Sequence, residues 1–274
     1  MSTSTNPAAG PGGMSEQDRE RLRFATALIR EAGELALGFY RRLATLTVRS
    51  KGVQDMVSEA DVAVEQLIRE RLAAAYPGDA FLGEESGHGD VAGSAALWVV
   101  DPIDGTQPFV SGLPTWCVSI AFLRDEALVF GLVFNPAADE LFAGGLGVPA
   151  TRNDRPLTLH PGTAVSDGLT FLGCSSRITA DVLVPVLDRL MRAHGMFVRN
   201  GSGALGLCDV ACGRLVGYVE PHINSWDCLG AVAVLRAAGA RVSDFLADDG
   251  LWSGNPIVAA TPAVYDELVT VLHG

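Results

Sequence analysis

Basic side chains, paired cysteines and long apolar runs are all scarce in this chain of 274 residues. Lysine and arginine number 20 against 32 aspartates and glutamates, which gives a net charge of −12. This balance argues against a nucleic-acid-binding surface and against attachment to an anionic membrane. The uncharged apolar runs are also too short to span a bilayer.

The five cysteines are an odd number, and none of them has C-x-x-C spacing. The sequence therefore predicts neither a disulfide framework nor a zinc site, and it favours a reducing cytoplasm. The first basic residue is Arg19, and no apolar segment precedes it, so we expect no signal peptide.

The length and an apolar content of 48% fit one large folded unit or two closely packed lobes. We expect residues 1–13, which are rich in Gly, Pro and Ser, to be a disordered N-terminal segment. A run of Gly, Pro and Asn near residues 149–153 predicts a boundary between an N-terminal lobe, 14–150, and a C-terminal lobe, 151–274. The two lobes together are expected to form one compact unit.

Helical spacing of apolar residues alternates with short apolar runs along both lobes, which predicts a layered α/β fold. Ser15 with Asp18, and Ser58 with Asp61, have the spacing of helix capping boxes. The first predicted helix begins at Ser15. Further predicted helices cover Glu59–Ala75, Ala180–Ala193, Gly203–Cys212, Asp227–Ala238 and Pro262–Leu272. Predicted strands cover Ala80–Gly83, Leu97–Val100, Cys117–Leu123, Leu128–Phe134, Glu140–Ala143, Leu157–Leu159, Thr170–Gly173, Val216–Glu220, Arg241–Phe245 and Ile257–Ala260. The segment Arg124-Asp-Glu126 predicts a hairpin turn between two of these strands.

The most informative segment is Asp101-Pro-Ile-Asp104-Gly-Thr106, which follows an apolar run. Pro102 lacks an N–H, so we expect the strand to end at Asp101 and both carboxylates to converge beyond it with the Ile103 carbonyl. Oxygen ligands of this kind suit Mg²⁺. The free N–H groups of the following Gly105-Thr106 turn are typical of a phosphate site.

Two further acidic groups can complete such a site. Glu84 and Glu85 follow another short strand, and Asp227 begins a predicted helix after Trp226. Each feature alone more often has a structural role: a turn for the D-P-x-D segment, a solvated loop for Glu84-Glu85 and a helix N-cap for Asp227. Their joint occurrence favours a metal site.

Taken in order, these motifs resemble those of the inositol monophosphatase family of metal-dependent, lithium-sensitive phosphatases. The matching segments are Lys51 with Asp55-Met-Val-Ser58 and Asp61, Gly83-Glu-Glu-Ser86, Trp98–Thr106, and Trp226-Asp227 with Ala238-Gly-Ala240. The resemblance extends from about Ser15 to Leu272. Two departures are Gln107-Pro108, where the family has T-N or R-N, and Ala240, where the family has glycine.

The resemblance implies a layered α-β-α-β-α sandwich with a site for two or three Mg²⁺ ions. It implies that Glu84, Asp101 and the Ile103 carbonyl bind the first ion. Asp101, Asp104 and Asp227 would bind the second, with Asp101 as the bridge. A homodimer and sensitivity to lithium are further implications.

The resemblance also assigns the catalytic groups. It implies that Thr106 orients the attacking water, while Asp61 or, in another version of the family mechanism, Glu84 accepts a proton. The N–H groups of Gly105 and Thr106 would hold phosphate oxygens.

Substrate contacts follow from the same resemblance. It implies that Glu220 and the loop that contains Gly203 contact the substrate, and an acidic side chain there suits a polyol. Further candidates for the site are Lys51, Ser202 and His222.

The sequence thus predicts a cytoplasmic phosphomonoesterase that acts on a small phosphorylated metabolite, with inositol 1-phosphate as the leading substrate. Histidinol phosphate is the main alternative, although Trp226 before the last aspartate favours the polyol. A catalytically silent, metal-binding homologue is supported only by the Gln107-Pro108 departure. Fructose 1,6-bisphosphate and 3'-phosphoadenosine 5'-phosphate need more basic residues near the site than the sequence indicates.

Overall fold

The computed structural model describes residues 13–45, 47–52, 55–88, 94–175 and 177–274. Of the segment predicted to be disordered, 1–13, only Gly13 belongs to the described residues. The helices are α1 (Glu16–Tyr40), α2 (Glu59–Ala75), α3 (Thr106–Val110), α4 (Ala180–Arg192), α5 (Gly203–Ala211), α6 (Ser225–Ala237), α7 (Gly250–Ser253) and α8 (Tyr265–His273).

The strands of the described ranges form two sheets and one separate hairpin. They are β1 (Val48–Gly52), β2 (Asp55–Ser58), β3 (Ala80–Gly83), β4 (Gly87–His88), β5 (Ala96–Asp104), β6 (Cys117–Arg124), β7 (Ala127–Asn135), β8 (Glu140–Gly145), β9 (Val148–Arg152), β10 (Arg155–Pro156), β11 (Leu169–Leu172), β12 (Met196–Val198), β13 (Gly217–Ile223), β14 (Arg241–Val242) and β15 (Asn255–Ala260). The large sheet has the order β10-β9-β8-β7-β6-β5-β3-β4, and only β3 and β5 are parallel neighbours among its described strands. The small sheet has the order β12-β11-β13-β15-β14. The hairpin is β1-β2.

These elements form five layers. Helices α1 and α2 cover one face of the large sheet, and α5 and α6 lie between the large and the small sheet. Helices α4 and α8 cover the outer face of the small sheet. The predicted α-β-α-β-α sandwich is therefore confirmed.

One predicted capping box is complete, at α2, and the other is present in its N-cap half, at α1. Ser15 Oγ accepts the Asp18 N–H at 3.1 Å, and Ser58 forms the reciprocal box with Asp61. The Asp18 carboxylate also pairs with Arg124 at 2.6 Å, which fastens the start of α1 to the end of β6.

Strand β5 continues through Pro102, so the prediction that it ends at Asp101 is wrong. Asp101 faces Ser119 and Asp104 faces Cys117, so β5 has one more residue than β6 between these two pairs. This extra residue makes a β-bulge, which tolerates the missing N–H of proline. The bulge keeps Asp101 and Asp104 on one fully buried strand.

Helix α6 lies directly against the large sheet at two glycines. A methyl group on Gly131 of β7 would overlap the Gly230 carbonyl, and one on Gly230 of α6 would press on Ser119 of β6. The absence of both side chains lets the helix approach the strands closely. This contact fixes α6 relative to β6 and β7.

Two other sequence predictions differ from the structure. Leu157 and Leu159 pack against the core between the sheets, but they are not a strand, because the chain there runs between Pro156 and Pro161 with little backbone pairing. The predicted strand Arg241–Phe245 ends at Val242. The division into lobes 14–150 and 151–274 stays a prediction, and its boundary lies within β9 of the large sheet.

None of the helices in these described ranges has both the length and the apolar character needed to cross a membrane.

Candidate metal centre and active site

Three carboxylates from distant parts of the chain meet between the two sheets. Glu84 follows β3, Asp101 lies on β5 and Asp227 lies in the first turn of α6. One oxygen from each lies within 4.8 Å of the other two. The sequence-predicted ligands Glu84, Asp101 and Asp227 are therefore brought together.

Asp101 is held by its own bulge. Its Oδ1 accepts the Ile103 N–H at 2.9 Å, while Oδ2 is buried and has no hydrogen-bond partner among the described residues. Burial, followed by the negative charges of Glu84, Asp104 and Asp227, raises the pKa of Asp101 well above its ordinary value. A buried oxygen without a proton donor, beside other carboxylates, fits a bound cation.

Asp227 is fixed by the helix that carries it. Its Oδ2 accepts hydrogen bonds from the backbone N–H and side-chain amide of Asn224, at 3.3 and 3.2 Å. Burial raises the pKa of Asp227, although the neighbouring Asp101 carboxyl and the charge of Arg177 act in the opposite direction. The negative charges of Asp101 and Asp227 disfavour each other, and a bound divalent ion would offset this repulsion.

Asp104 lies outside the three-carboxylate cluster, because its carboxylate faces the N-terminus of α5. Its Oδ2 accepts hydrogen bonds from Ser202 Oγ and, at 2.7 Å, from the Ala204 N–H. Its Oδ1 accepts the Gly203 N–H at 3.2 Å. Burial and the nearby Asp227 charge raise the pKa of Asp104 to about 7.

Thr106 connects the metal centre to α2. Its Oγ1 lies 3.2 Å from Asp61 Oδ1 and 3.2 Å from the Ile103 carbonyl oxygen. The other Asp61 oxygen accepts the Ser58 N–H at 2.8 Å. Burial raises the pKa of Asp61 even though these hydrogen bonds lower it. A buried carboxylate with a raised pKa beside a hydroxyl group can accept a proton.

Two of the clustered carboxylates, Glu84 and Asp227, line one end of a cleft of about 630 Å³. Its lining residues are Glu84, Gly105, Thr106, Gln107, Pro108, Ser111, Leu113, Cys174, Ser175, Arg177, Arg199, Asn200, Gly201, Asn224 and Asp227. Gly105 is the N-cap of α3 and has a φ of 92°, a left-handed conformation that favours glycine. Pro108 lies in the first turn of α3, where a missing N–H costs no helical hydrogen bond. The Gln107-Pro108 departure thus leaves this turn intact.

Several predicted substrate residues occupy other positions. Glu220 is only 5% exposed and accepts a hydrogen bond from the Tyr218 hydroxyl. Ser202 and Gly203 bond to Asp104, and His222 Nε2 lies 2.9 Å from the Ser253 carbonyl oxygen. None of these four is among the residues that line the cleft. The side chain of Lys51 is outside the described residues.

Two basic residues, Arg177 and Arg199, also line the cleft, and the sequence alone had left their roles open. Arg177 and Arg199 are both exposed, and Arg199 donates to the Cys174 carbonyl at 2.8 Å. The sequence showed no cluster of basic residues, yet the fold places these two in the same cleft. No local pattern marks these arginines, because the fold brings together loops that follow different strands.

Comparison with known proteins agrees with this geometry. The profile of the Inositol monophosphatase family matches residues 17–273. The chain is 34% identical over 253 residues to the Inositol-1-monophosphatase of Mesorhizobium japonicum, covering 90% of this chain and 91% of that protein. It is 33% identical over 257 residues to the Nus factor SuhB of Pasteurella multocida, covering 92% and 95%.

A solved structure shows the same fold. The extragenic suppressor protein suhB from Bartonella henselae superposes with a TM-score of 0.86 at 30% identity, covering 93% of this chain and 98% of that one. The fold and the carboxylate cluster thus define a metal-dependent phosphatase that acts on phosphate monoesters. The chain belongs to the inositol monophosphatase family.

Proposed function

We propose that this enzyme is a Mg²⁺-dependent phosphomonoesterase of small polyol or sugar phosphates, with inositol 1-phosphate as the main substrate. The observation that carries the proposal is the unpartnered Asp101 Oδ2 within the cluster of Glu84, Asp101 and Asp227. This cluster lies at one end of a cleft large enough for a sugar-sized ester. The name of the relative from M. japonicum supports the choice of substrate.

The cluster of Glu84, Asp101 and Asp227 supports bound Mg²⁺, and we propose two ions, with a third as part of the same proposal. Glu84, Asp101 and the Ile103 carbonyl would hold one ion. Asp101 and Asp227 would hold the other together with Asp104, whose carboxylate bonds to the N-terminus of α5 in this structure. When bound, such ions neutralise phosphate charge and lower the pKa of a nearby water.

The chain itself supplies the orientation and the proton acceptor. Thr106 Oγ1 can accept from the attacking water and pass its own proton toward Asp61 Oδ1, which is 3.2 Å away. Glu84 is the alternative acceptor. The raised pKa of Asp61, which burial causes, matches a general base better than an ordinary aspartate does. In this proposal the N–H groups of Gly105 and Thr106, which line the cleft, hold the phosphate.

The part of the cleft that Arg177 and Arg199 line, which we call the leaving-group end, suggests a second class of substrate. Arg177 and Arg199 favour an ester that carries another anionic group, because guanidinium groups bind phosphate and carboxylate well. The same two charges disfavour histidinol phosphate, whose leaving group is cationic. Glu220 would reach a substrate hydroxyl only after it releases Tyr218.

Assembly and environment complete the proposal. Met196 and Phe197, on the edge strand β12, are 67% and 45% exposed, which supports burial of this edge in a homodimer. We also propose inhibition by lithium at the second ion site, a cytoplasmic location and a division into the two lobes 14–150 and 151–274. A monomer by light scattering at micromolar concentration would contradict the homodimer.

Phosphate release tests the function. The full chain is assayed with inositol 1-phosphate, histidinol phosphate, fructose 1,6-bisphosphate and 3'-phosphoadenosine 5'-phosphate, first with Mg²⁺ and then with a chelator. We expect Mg²⁺-dependent release, greatest for inositol 1-phosphate. Preference for a bisphosphate would favour the second class of substrate. Release from none of them, or release that survives the chelator, would contradict the metal-dependent proposal.

A further inference from the structure

The turn that carries Glu84 is held by a buried carboxylate from α2. Glu65 Oε2 accepts the Glu85 N–H at 2.9 Å, and Glu65 Oε1 accepts the Ser86 N–H at 2.9 Å. The Glu65 residue is only 4% exposed. Each oxygen of this side chain therefore bonds to one of the two residues that follow Glu84.

The neighbouring sequence leaves room for this carboxylate. A methyl group on Gly83 would overlap the Glu65 carboxylate. Gly83 is the last residue of β3, and the next residue, Glu84, donates its N–H to the Val100 carbonyl of β5 at 3.2 Å. The Gly83-Glu84 pair is thus fixed between β5 on one side and Glu65 on the other.

The carboxylate has no ion-pair partner among the described residues. Burying a carboxylate without a cation is costly, and backbone amides offset only part of the cost. An apolar side chain at this position would fill space but could not order the turn. The two amide bonds are consequently the specific contribution of Glu65.

Asp61 and Glu65 are four residues apart and share one face of α2. Asp61 lies 3.2 Å from the Thr106 hydroxyl, on the β5 side of the metal centre. Glu65 reaches the turn on the β3 side. A single helix face therefore spans both sides of the site.

We infer that Glu65 is a positioning residue that sets where the Glu84 carboxylate lies relative to Asp101 and Asp227, and so determines the affinity for Mg²⁺. The inference rests on the proposed metal site. Glu65 itself does not line the cleft, so it acts through the turn that holds Glu84.

The test compares Mg²⁺ binding by the metal-free full chain, measured by isothermal titration calorimetry, in the wild type, Glu65→Ala and Glu65→Gln. Loss of a group that orients a metal ligand typically weakens binding by about 10- to 100-fold. We expect that range for Glu65→Ala and a smaller loss for Glu65→Gln, which keeps one acceptor oxygen. With p-nitrophenyl phosphate, the Mg²⁺ concentration for half-maximal rate should rise, while kcat at saturating Mg²⁺ should stay within about threefold, because Glu65 does not touch the reacting atoms.

Asp167→Ala is the matched control. Asp167 Oδ2 also accepts two successive backbone N–H groups, from Thr163 and Ala164 at 2.8 and 3.0 Å, but it lies outside the cleft. This variant should bind Mg²⁺ like the wild type even if its Tm falls.

Two results would overturn the inference. One is unchanged Mg²⁺ affinity in Glu65→Ala and Glu65→Gln with only a lower Tm, since Glu65 would then be merely structural. The other result is a wild type that binds no Mg²⁺, which would remove the proposed metal site as well.

If Glu65→Ala does not fold, Glu65→Gln and Gly83→Ala, which displaces the carboxylate, must still weaken Mg²⁺ binding.

Discussion

The two ends of the cleft hold their charged groups in different ways. At the phosphate end, Asp101 and Asp104 are buried and Asp227 is partly buried, and backbone N–H groups of nearby turns and helices bond to the oxygens of all three. At the leaving-group end, Arg177 and Arg199 are exposed. The phosphate end is therefore preorganised for one chemistry, whereas the other end can adapt to different alcohols.

This difference predicts how mutations should act. Changes at the phosphate end should reduce the rate for every ester, because they remove groups that every phosphate needs. Changes at the leaving-group end should alter the choice among esters. A variant at one end that shows the effect expected for the other end would contradict the assignment of the two ends.

The largest effect is expected for Asp227→Asn at the phosphate end. Loss of a metal ligand removes several kcal/mol of transition-state stabilisation, so kcat/KM should fall by about 10³-fold for all esters. Phosphate release and Mg²⁺ calorimetry measure this. Asp125→Asn, in the hairpin turn between β6 and β7, is the control. Full activity of Asp227→Asn would exclude Asp227 as a ligand.

A smaller loss is expected when the proton acceptor is changed. Asp61→Asn and Thr106→Val should each lower kcat by about 10²-fold, the usual contribution of general-base catalysis, while Mg²⁺ affinity stays near that of the wild type. Thr26→Val, whose hydroxyl bonds only within α1, is the control for losing a threonine hydroxyl. If Asp61→Asn abolished Mg²⁺ binding, Asp61 would act as a ligand instead.

The metal-free protein should lose stability as the pH rises. Burial raises the pKa of Asp104 from 3.8 to about 7 and that of Glu220 from 4.5 to about 8. Between the ordinary and the raised values the folded chain holds protons that the unfolded chain has lost, so the free energy of unfolding falls as pH increases. Melting temperatures from pH 5.5 to 8 should decrease, and Mg²⁺ should raise them most at pH 8.

Glu220→Gln separates the contributions of Glu220 and Asp104 in the same experiment. It should flatten the pH dependence of the metal-free protein and leave the Mg²⁺-induced rise in Tm unchanged, because Glu220 lies outside the metal centre. A metal-free Tm that increases with pH would contradict the raised pKa values.

The smallest effect is expected at the leaving-group end. Arg177→Gln and Arg199→Gln should each lower the ratio of kcat/KM for fructose 1,6-bisphosphate over inositol 1-phosphate by about fivefold, since exposed charge pairs contribute up to about 1 kcal/mol. Activity on p-nitrophenyl phosphate, which has no second anionic group, should stay within about twofold. An equal loss on all three esters would place these arginines at the phosphate end.

The ligands of the phosphate end were predictable from sequence, although they come from distant segments, because each lies in a short motif whose conformation is local. Asp101 and Asp104 belong to one bulged strand, and the spacing of Ser58 and Asp61 already indicated a capping box. Each motif therefore encodes its own conformation. The layered fold followed for the same reason, from short periodic segments.

The leaving-group end was not predictable, because non-local contacts build it. Glu220 was expected to face the substrate. Instead its carboxyl accepts a hydrogen bond from Tyr218 and occupies the space that a side chain at Gly173 would fill, within the small sheet. At the phosphate end, the contact of Asp104 with α5, about one hundred residues further along the chain, was not predictable for the same reason. No sequence spacing reports where two such distant segments meet.

The close contact between Gly131 and Gly230 has a consequence for reading mutational data. Any side chain at either glycine would push α6 away from the large sheet, and with it Asp227 away from Asp101. A scan of all substitutions that scores growth or turnover would rank these two glycines beside the catalytic carboxylates, although neither can touch a substrate. In such a map, positions that tolerate no substitution would include those that set the distance between the metal ligands as well as those that take part in the reaction.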